Sequence, residues 1–214
     1  MNVILTHEQA DFDALGALLG AWLLDETASA VLPARLNRNV KRFLNLYSSE
    51  LSFVEFRDLP SETVHKVTLV DTQSLVTLKG FSSKTLVQVI DHHPQRDNLD
   101  TRWQTNLEKT GSCTTIFVEK LKEHLTSFSV IHNTLMLLGI YEDTGAMTYA
   151  STTARDIRAV AALVEAGASL RIAADFLNPA LSDEQKALAE RLMATAQNLD
   201  IHGKIILIAS ADGS

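Results

Sequence analysis

Acids and imidazoles stand at four places in this chain where apolar runs end. His7, Asp11 and Asp13 fall together in His7-Glu-Gln-Ala-Asp11-Phe-Asp13, Asp71 follows Lys66-Val-Thr-Leu-Val70, and Asp91-His92-His93 follows Thr85-Leu-Val-Gln-Val-Ile90. Asp143 comes after the apolar helical stretch Thr134 to Tyr141. Imidazoles with several carboxylates and no thiolate suit manganese, magnesium, iron or cobalt better than a structural zinc, and manganese is the first choice. Four aspartates in one crevice repel one another unless neutralised. Two divalent cations cancel four negative charges and leave coordination positions for water and phosphate oxygens. Two such ions about 3.5 to 4 Å apart lower the pKa of a shared water and stabilise both oxygens of a phosphoryl transfer. The chemistry is then phosphoester or phosphoanhydride hydrolysis, with no separate protein base required.

The elements that must position these residues are legible around them. Val3-Ile4-Leu5-Thr6 reads as a buried strand and Ala14 to Leu19 as the start of an apolar helix, so His7, Asp11 and Asp13 lie in a strand-to-helix turn. In open α/β sheets such turns line the ligand crevice, and a helix N-terminus adds positive potential. The runs before Asp71 and Asp91 read as further strands. Pro94 stops regular pairing after the second, and Gly145 is a helix-stop residue. Gly111-Ser-Cys-Thr-Thr115 precedes a helix from Ile116 to Glu123 and forms a small-residue turn whose amides could meet a phosphate. A helix begins at Ser182, capped by Ser182-Asp183-Glu184-Gln185, with an apolar stripe at Leu188, Met193 and Leu199 expected to pack internally. Asn198 to Gly203 reads as a polar break before a last strand, Lys204 to Ala209. The fold expected is α/β, a mostly parallel sheet flanked by helices on both faces. One domain is expected over residues 1 to 199, and residues 200–214 as a linker and the start of a truncated C-terminal domain.

Composition fits that reading. Of 214 residues 46% are hydrophobic, yet no uninterrupted apolar run approaches the roughly 20 residues that span a bilayer, and no signal peptide is visible. Cys113 is the only cysteine, which excludes an intrachain disulfide and suits the cytoplasm; it lacks the context of a nucleophile and is expected to pack against the sheet. A net charge of −7 argues against a broad, nonspecific grip on nucleic acid, but not against a short oligonucleotide. Four cations crowd into Arg35-Leu-Asn-Arg38-Asn-Val-Lys41-Arg42, where Arg38 is a candidate to reach a phosphate and a solvated helix face is the plain alternative. Asp11 and Asp13 taken alone could be ordinary helix caps. Capping does not explain acids at several strand tips together with a histidine pair.

At these residues the chain resembles the DHH phosphoesterase superfamily, named for the Asp91-His92-His93 triplet, with all four motifs in order from His7 to about Gly145. The superfamily includes single-strand exonucleases, oligoribonucleases, cyclic-dinucleotide phosphodiesterases and manganese-dependent pyrophosphatases. The resemblance implies His7, Asp11 and Asp71 as ligands of one metal, and Asp13, Asp71, His92 and Asp143 as ligands of the other, with Asp71 bridging. It implies His93 beside the scissile phosphate and Asp91 as a carboxylate that orients an imidazole. The wording Thr6 to Gly16, Leu36-Asn-Arg-Asn39 and Gly139 to Gly145 resembles a branch whose DHH domains precede CBS and tRNA nucleotidyltransferase or poly(A) polymerase-like domains, so further covalent domains are expected. The Gly-Gly-Gly-His loop of the smaller second domain in family phosphodiesterases does not occur here. The implied function is two-metal hydrolysis of a phosphodiester in a short oligonucleotide or dinucleotide, using manganese with magnesium or cobalt as substitutes. Pyrophosphatase or polyphosphatase action is one alternative. A non-catalytic, metal-bearing RNA-binding or regulatory module is another, and a homo-oligomer is compatible with either.

Overall fold

The computed structural model describes residues 1–177 and 182–211. By internal contacts the chain divides into two compact units, Met1–Leu177 and Asn178–Ser214. The first holds a six-stranded, all-parallel sheet in the order β3-β2-β1-β4-β5-β6. The strands are β1 (Asn2–Leu5), β2 (Ser29–Leu32), β3 (Phe53–Glu55), β4 (Lys66–Val70), β5 (Leu86–Asp91) and β6 (Gln104–Leu107). The order reverses between β1 and β4, and a crevice opens outside the carboxyl ends of strands at such a point. His7 follows β1, Asp71 follows β4, and Asp91 ends β5, so the three strands nearest the reversal deliver the acids and imidazoles expected at their tips.

The helices of this unit are α1 (Phe12–Leu24), α2 (Arg38–Tyr47), α3 (Cys113–Leu121), α4 (Val130–Thr144), α5 (Ala154–Glu165) and α6 (Leu170–Leu177). Helix α1 is buried continuously from Phe12 to Ala21, because α3 and α4 cover the sides that the sheet does not. Every helix of the unit contributes to one apolar cluster, which meets the sheet at Ile4, Ala30, Val70 and Ile90. The opposite face, with Val3, Leu5, Val31, Val67, Leu69, Val87 and Val89, is closed by Val64 and Leu78 and contains no helical residue. The parallel α/β sheet is thus as expected, but helices flank one face only among the described residues. The connections that would carry the second layer, residues 71–85 between β4 and β5 and 92–103 between β5 and β6, are loops in which Ser, Thr, Asp and Asn recur and Gly80 and Pro94 break any helical run.

The second unit differs from the sequence reading. Helix α7 (Asp183–Ala194) starts at the expected capping box of Ser182 and Gln185, but it lies in this unit, whereas the sequence reading carried the first domain to residue 199. Leu188 and Met193 of the anticipated apolar stripe are exposed, and Leu199 sits in a strand. The polar break is an antiparallel hairpin of β7 (Gln197–Ile201) and β8 (Lys204–Ile208). Gln-Asn-Leu-Asp-Ile alternates at strand period, and His202 and Gly203 both take positive φ, 54° and 77°, as a two-residue hairpin turn demands. The anticipated domain start at Asp212-Gly213-Ser214 lies outside the described residues. No helix among the described residues is long and apolar enough to cross a membrane.

Candidate metal centre

The tip of β1 turns sharply into α1, with Asp11 capping the helix by accepting from the Ala14 amide at 3.0 Å. This turn puts Asp11 and Asp13 on the crevice side of the first helical turn. Asp13 is fully buried, and the start of α3 holds it: Ser112 Oγ donates at 2.6 Å, the Cys113 amide at 2.7 Å and the Thr114 amide at 2.8 Å. The amides that the sequence reading offered to a phosphate are thus occupied by the chain's own carboxylate. Those of Cys113 and Thr114 gain the helix N-terminus interaction through Asp13. Cys113 itself is buried, its Sγ 3.4 Å from the Ile90 carbonyl oxygen, and burial pushes its thiol pKa well up.

Helix α4 brings Asp143 to the same place because Gly139, one turn earlier, lets it close on α1. A Cβ at Gly139 would lie 2.6 Å from Thr114 Oγ1 and 2.8 Å from the Phe12 carbonyl oxygen. Glu142 caps the approach by accepting from the Phe12 amide at 2.5 Å, and burial lifts its carboxyl to about 7. Gly145 ends the helix in the left-handed region, as expected.

The six residues expected as ligands converge. His7 Nε2 lies 3.3 Å from Asp71 Oδ2 and 3.9 Å from Asp11 Oδ1. His92 Nε2 lies 3.4 Å from Asp71 Oδ1, 3.4 Å from Asp143 Oδ2 and 3.7 Å from Asp13 Oδ2. Asp71 therefore turns one oxygen to each cluster. It does so from a left-handed backbone, φ 54°, a conformation that costs about 1 kcal/mol or more outside glycine and collects at functional sites. The imidazoles are aimed by their other nitrogens, His7 Nδ1 at the Glu8 carbonyl (2.8 Å) and His92 Nδ1 at the Thr110 carbonyl (3.2 Å). A carbonyl only accepts, so each Nδ1 carries the proton and each Nε2 faces the carboxylates.

The electrostatics show what this arrangement lacks. A hydrogen bond to Asp71 lifts His7 to about 9 against the effect of burial. Burial also opposes the charge on His92, but Asp143 and Asp71 carry it up to about 11. Burial first, then the Asp71 and Asp143 charges, hold the Asp13 proton well above the carboxylate range, and burial raises Asp11 as well. Each shift reports uncompensated negative charge in the crevice. Among the described residues, the buried atoms Asp71 Oδ1 and His92 Nε2 have no hydrogen-bond partner. Buried orphan oxygen and nitrogen atoms beside excess negative charge fit a divalent cation. The donor atoms group as His7, Asp11 and Asp71 on one side and Asp13, His92 and Asp143 on the other, each set within 4.8 Å.

His93 behaves unlike His92. Its Nδ1 donates to Asp91 Oδ1 at 2.9 Å, which raises its pKa, and its side chain is 56% exposed. Asp91 also accepts from the His92 and His93 amides and from Gln73 Nε2 at 2.9 Å, and these donors overcome burial to hold its carboxyl below the usual range. Gln73 further donates to the Pro94 carbonyl and accepts from the Arg96 amide, so it fixes the loop after β5. The crevice has a volume of about 610 Å³, and Thr72, Gln73, Pro94 and Arg96 join the expected residues in its walls. Arg38 is exposed at the start of α2 and is not among the lining residues; its neighbour Arg42 lies over the Phe176 ring. Arg96, placed by a loop, is the cation at the rim that the sequence reading missed.

The crevice at the reversal point of a parallel sheet thus brings together carboxylates and imidazoles that could hold metal ions. The family model described as "DHH family, N-terminal domain" matches residues 2–140, and the chain belongs to this family. The A-adding tRNA nucleotidyltransferase of Geobacter sulfurreducens is 35% identical over 217 residues, covering 99% of this chain and 25% of the relative. The chain thus spans a quarter of that relative's length. A bifunctional oligoribonuclease and PAP phosphatase, NrnA, of Mycoplasma genitalium is 28% identical over 185 residues, covering 82% of this chain and 56% of the relative. The crystal structure of an exopolyphosphatase-related protein from Bacteroides fragilis matches with a TM-score of 0.71 at 16% identity, covering 92% of this chain and 61% of that one. This last likeness concerns the fold alone.

Proposed function

We propose that the crevice holds two manganese ions and hydrolyses a phosphodiester of a short oligonucleotide or dinucleotide. The observation that carries the reading is Asp71, which turns Oδ2 to His7 and Oδ1 to His92 from a strained backbone. His7, Asp11 and Asp71 would hold one ion, and Asp13, Asp71, His92 and Asp143 the other. The ions supply charge neutralisation and a water of lowered pKa. Asp91 fixes the His93 ring through Nδ1 and leaves Nε2 to donate to a phosphate oxygen in the crevice. Arg96 offers a guanidinium to the same phosphate from the rim. Asp13, held by the start of α3, and Asp143, delivered by α4, form the inner wall. The relative with oligoribonuclease in its name supports the substrate class, and the absence of thiolate from the donor set supports manganese. The single, buried Cys113 suits a cytoplasmic setting.

Likeness to the A-adding tRNA nucleotidyltransferase over almost the whole chain favours a second reading. In it the metal-bearing unit positions or regulates RNA for further domains of a longer protein. Incubation of the protein with manganese and the dinucleotide pApA decides between them. Release of AMP, slowed about 100-fold or more by His93→Ala with the ions still bound, is the expected result. No release favours the binding module, and turnover of pyrophosphate alone favours phosphoanhydride chemistry.

A further inference from the structure

We infer that the apolar cavity beside the crevice, at the carboxyl ends of β1 and β2, is a nucleobase subsite. The cavity has a volume of about 220 Å³, and Leu5, Val31, Leu32, Pro33 and Val76 form apolar walls. Phe56, a large aromatic side chain 38% exposed, lines it as well. It lies on the sheet face whose apolar cluster contains no α-helical residue.

Two features connect it to the metal centre. Thr6 and Glu8 line the cavity and flank His7 in the chain, so the cavity and the crevice share the tip of β1. The loop after β4 also lines both, with Thr72 and Gln73 in the crevice and Val76 and Thr77 in the cavity. A ligand with a phosphate among the metal-site residues can therefore lay its next group here.

The chemistry of the walls selects that group. Phosphate or pyrophosphate gains nothing from apolar walls, and the Glu8 carboxylate repels it. A flat heteroaromatic ring with N–H groups at its edge gains both, because apolar walls and an aromatic ring take its faces and a carboxylate takes its N–H. Glu8 is held in place by the Arg35 amide, which donates to its Oε2 at 3.2 Å. The Thr6 hydroxyl is buried behind the cavity wall and has no hydrogen-bond partner among the described residues. This inference rests on the proposal that the crevice handles a nucleotide phosphate.

The test compares two probes with the same phosphate. AMP and ribose 5-phosphate are titrated calorimetrically into manganese-loaded wild type and Ala34→Trp. Ala34 is an exposed loop residue lining the cavity, so tryptophan there fills the space without disturbing a strand. Wild type is expected to bind AMP about tenfold more tightly than ribose 5-phosphate. Ala34→Trp abolishes the preference by weakening AMP alone, with the manganese count and the melting temperature unchanged. Equal affinity of wild type for both probes, no binding of either, or an AMP preference that survives Ala34→Trp overturns the subsite. A preference for AMP in a protein that does not cleave pApA leaves the subsite standing and rejects hydrolysis, so the two failures are distinguishable.

Discussion

Asp11 and Asp13 lie two residues apart on one turn, yet Asp13 is fully buried under three donors from α3, whereas Asp11 is about a third exposed and, among the described residues, accepts only from the Ala14 amide. The same contrast separates their histidine partners, since the side chain of His92 is 10% exposed and that of His7 is 32%. The inner half of the crevice is held by elements far apart in the chain, whereas His7 and Asp11 of the outer half are held by their own local turn. A metal position built from fixed ligands pays little to organise them, and a mobile one must be ordered by the ion itself. The inner position should therefore fill first.

The largest effect expected is on the metal-free protein. His7 and His92 have pKa values raised in the fold, so the stability they contribute is full below their unfolded value near 6.5 and is lost as pH rises through about 9 and about 11. Asp13 has the same sign, since a carboxyl that holds its proton more tightly in the fold loses stability as pH rises. Thermal unfolding without metal should fall in midpoint from pH 6.5 to 9. Saturating manganese should flatten that slope and add about 5 kcal/mol, from two sites each at about 100 times their dissociation constant. A metal-free midpoint that rises with pH would break the electrostatic account.

Next comes the pair itself, compared without metal. Asp13→Ala leaves the Ser112 hydroxyl and the Cys113 and Thr114 amides unpaired, at about 1 kcal/mol each, partly offset by relief of the Asp71 and Asp143 repulsion. Asp11→Ala loses one helix cap, about 1 kcal/mol. Chemical denaturation should rank Asp13→Ala as the more costly, and the reverse ranking would dissolve the contrast between the halves.

Asp156 sharpens the comparison from a distance. It accepts from Gly111, Thr115 and Thr153 and thereby anchors the start of α3 that holds Asp13. Burial would raise its carboxyl, but these donors lower it, so its stabilisation is present above its unfolded pKa and is lost as pH falls through the folded one. Asp156→Asn should cost about 1 to 2 kcal/mol at pH 7, with the gap to wild type closing on acidification below about pH 4. The variant should weaken the inner metal position and leave the outer one unchanged, as titration with manganese would show.

The sequence disclosed the ligands of both halves better than it disclosed what holds them. His7, Asp71, Asp91, His92 and His93 stand at strand tips, where a period-two apolar run stops, and that signal is local. The residues that hold Asp13 lie 99 to 101 positions away, so no spacing rule could join them, and the Gly111 to Thr115 turn looked like a free phosphate cradle instead. Gln73 and Arg96 were missed for a similar reason, because irregular loops place them and polar residues in loops have no period. The single helical layer was hidden because the buried strands β4 and β5 read alike whether a helix or a loop covers them. The hairpin Gln197–Ile208 was visible in its alternation and in His202-Gly203, but its polar residues pointed to a break.

The central claim is that Asp71 joins the two halves into one dinuclear centre. Metal-free wild type and Asp71→Ala, each shown to be folded by circular dichroism, should be titrated with manganese and the bound ions counted. The account predicts two ions in wild type and loss of both in the variant. A single ion in wild type, or a variant that keeps the wild-type count, would contradict it.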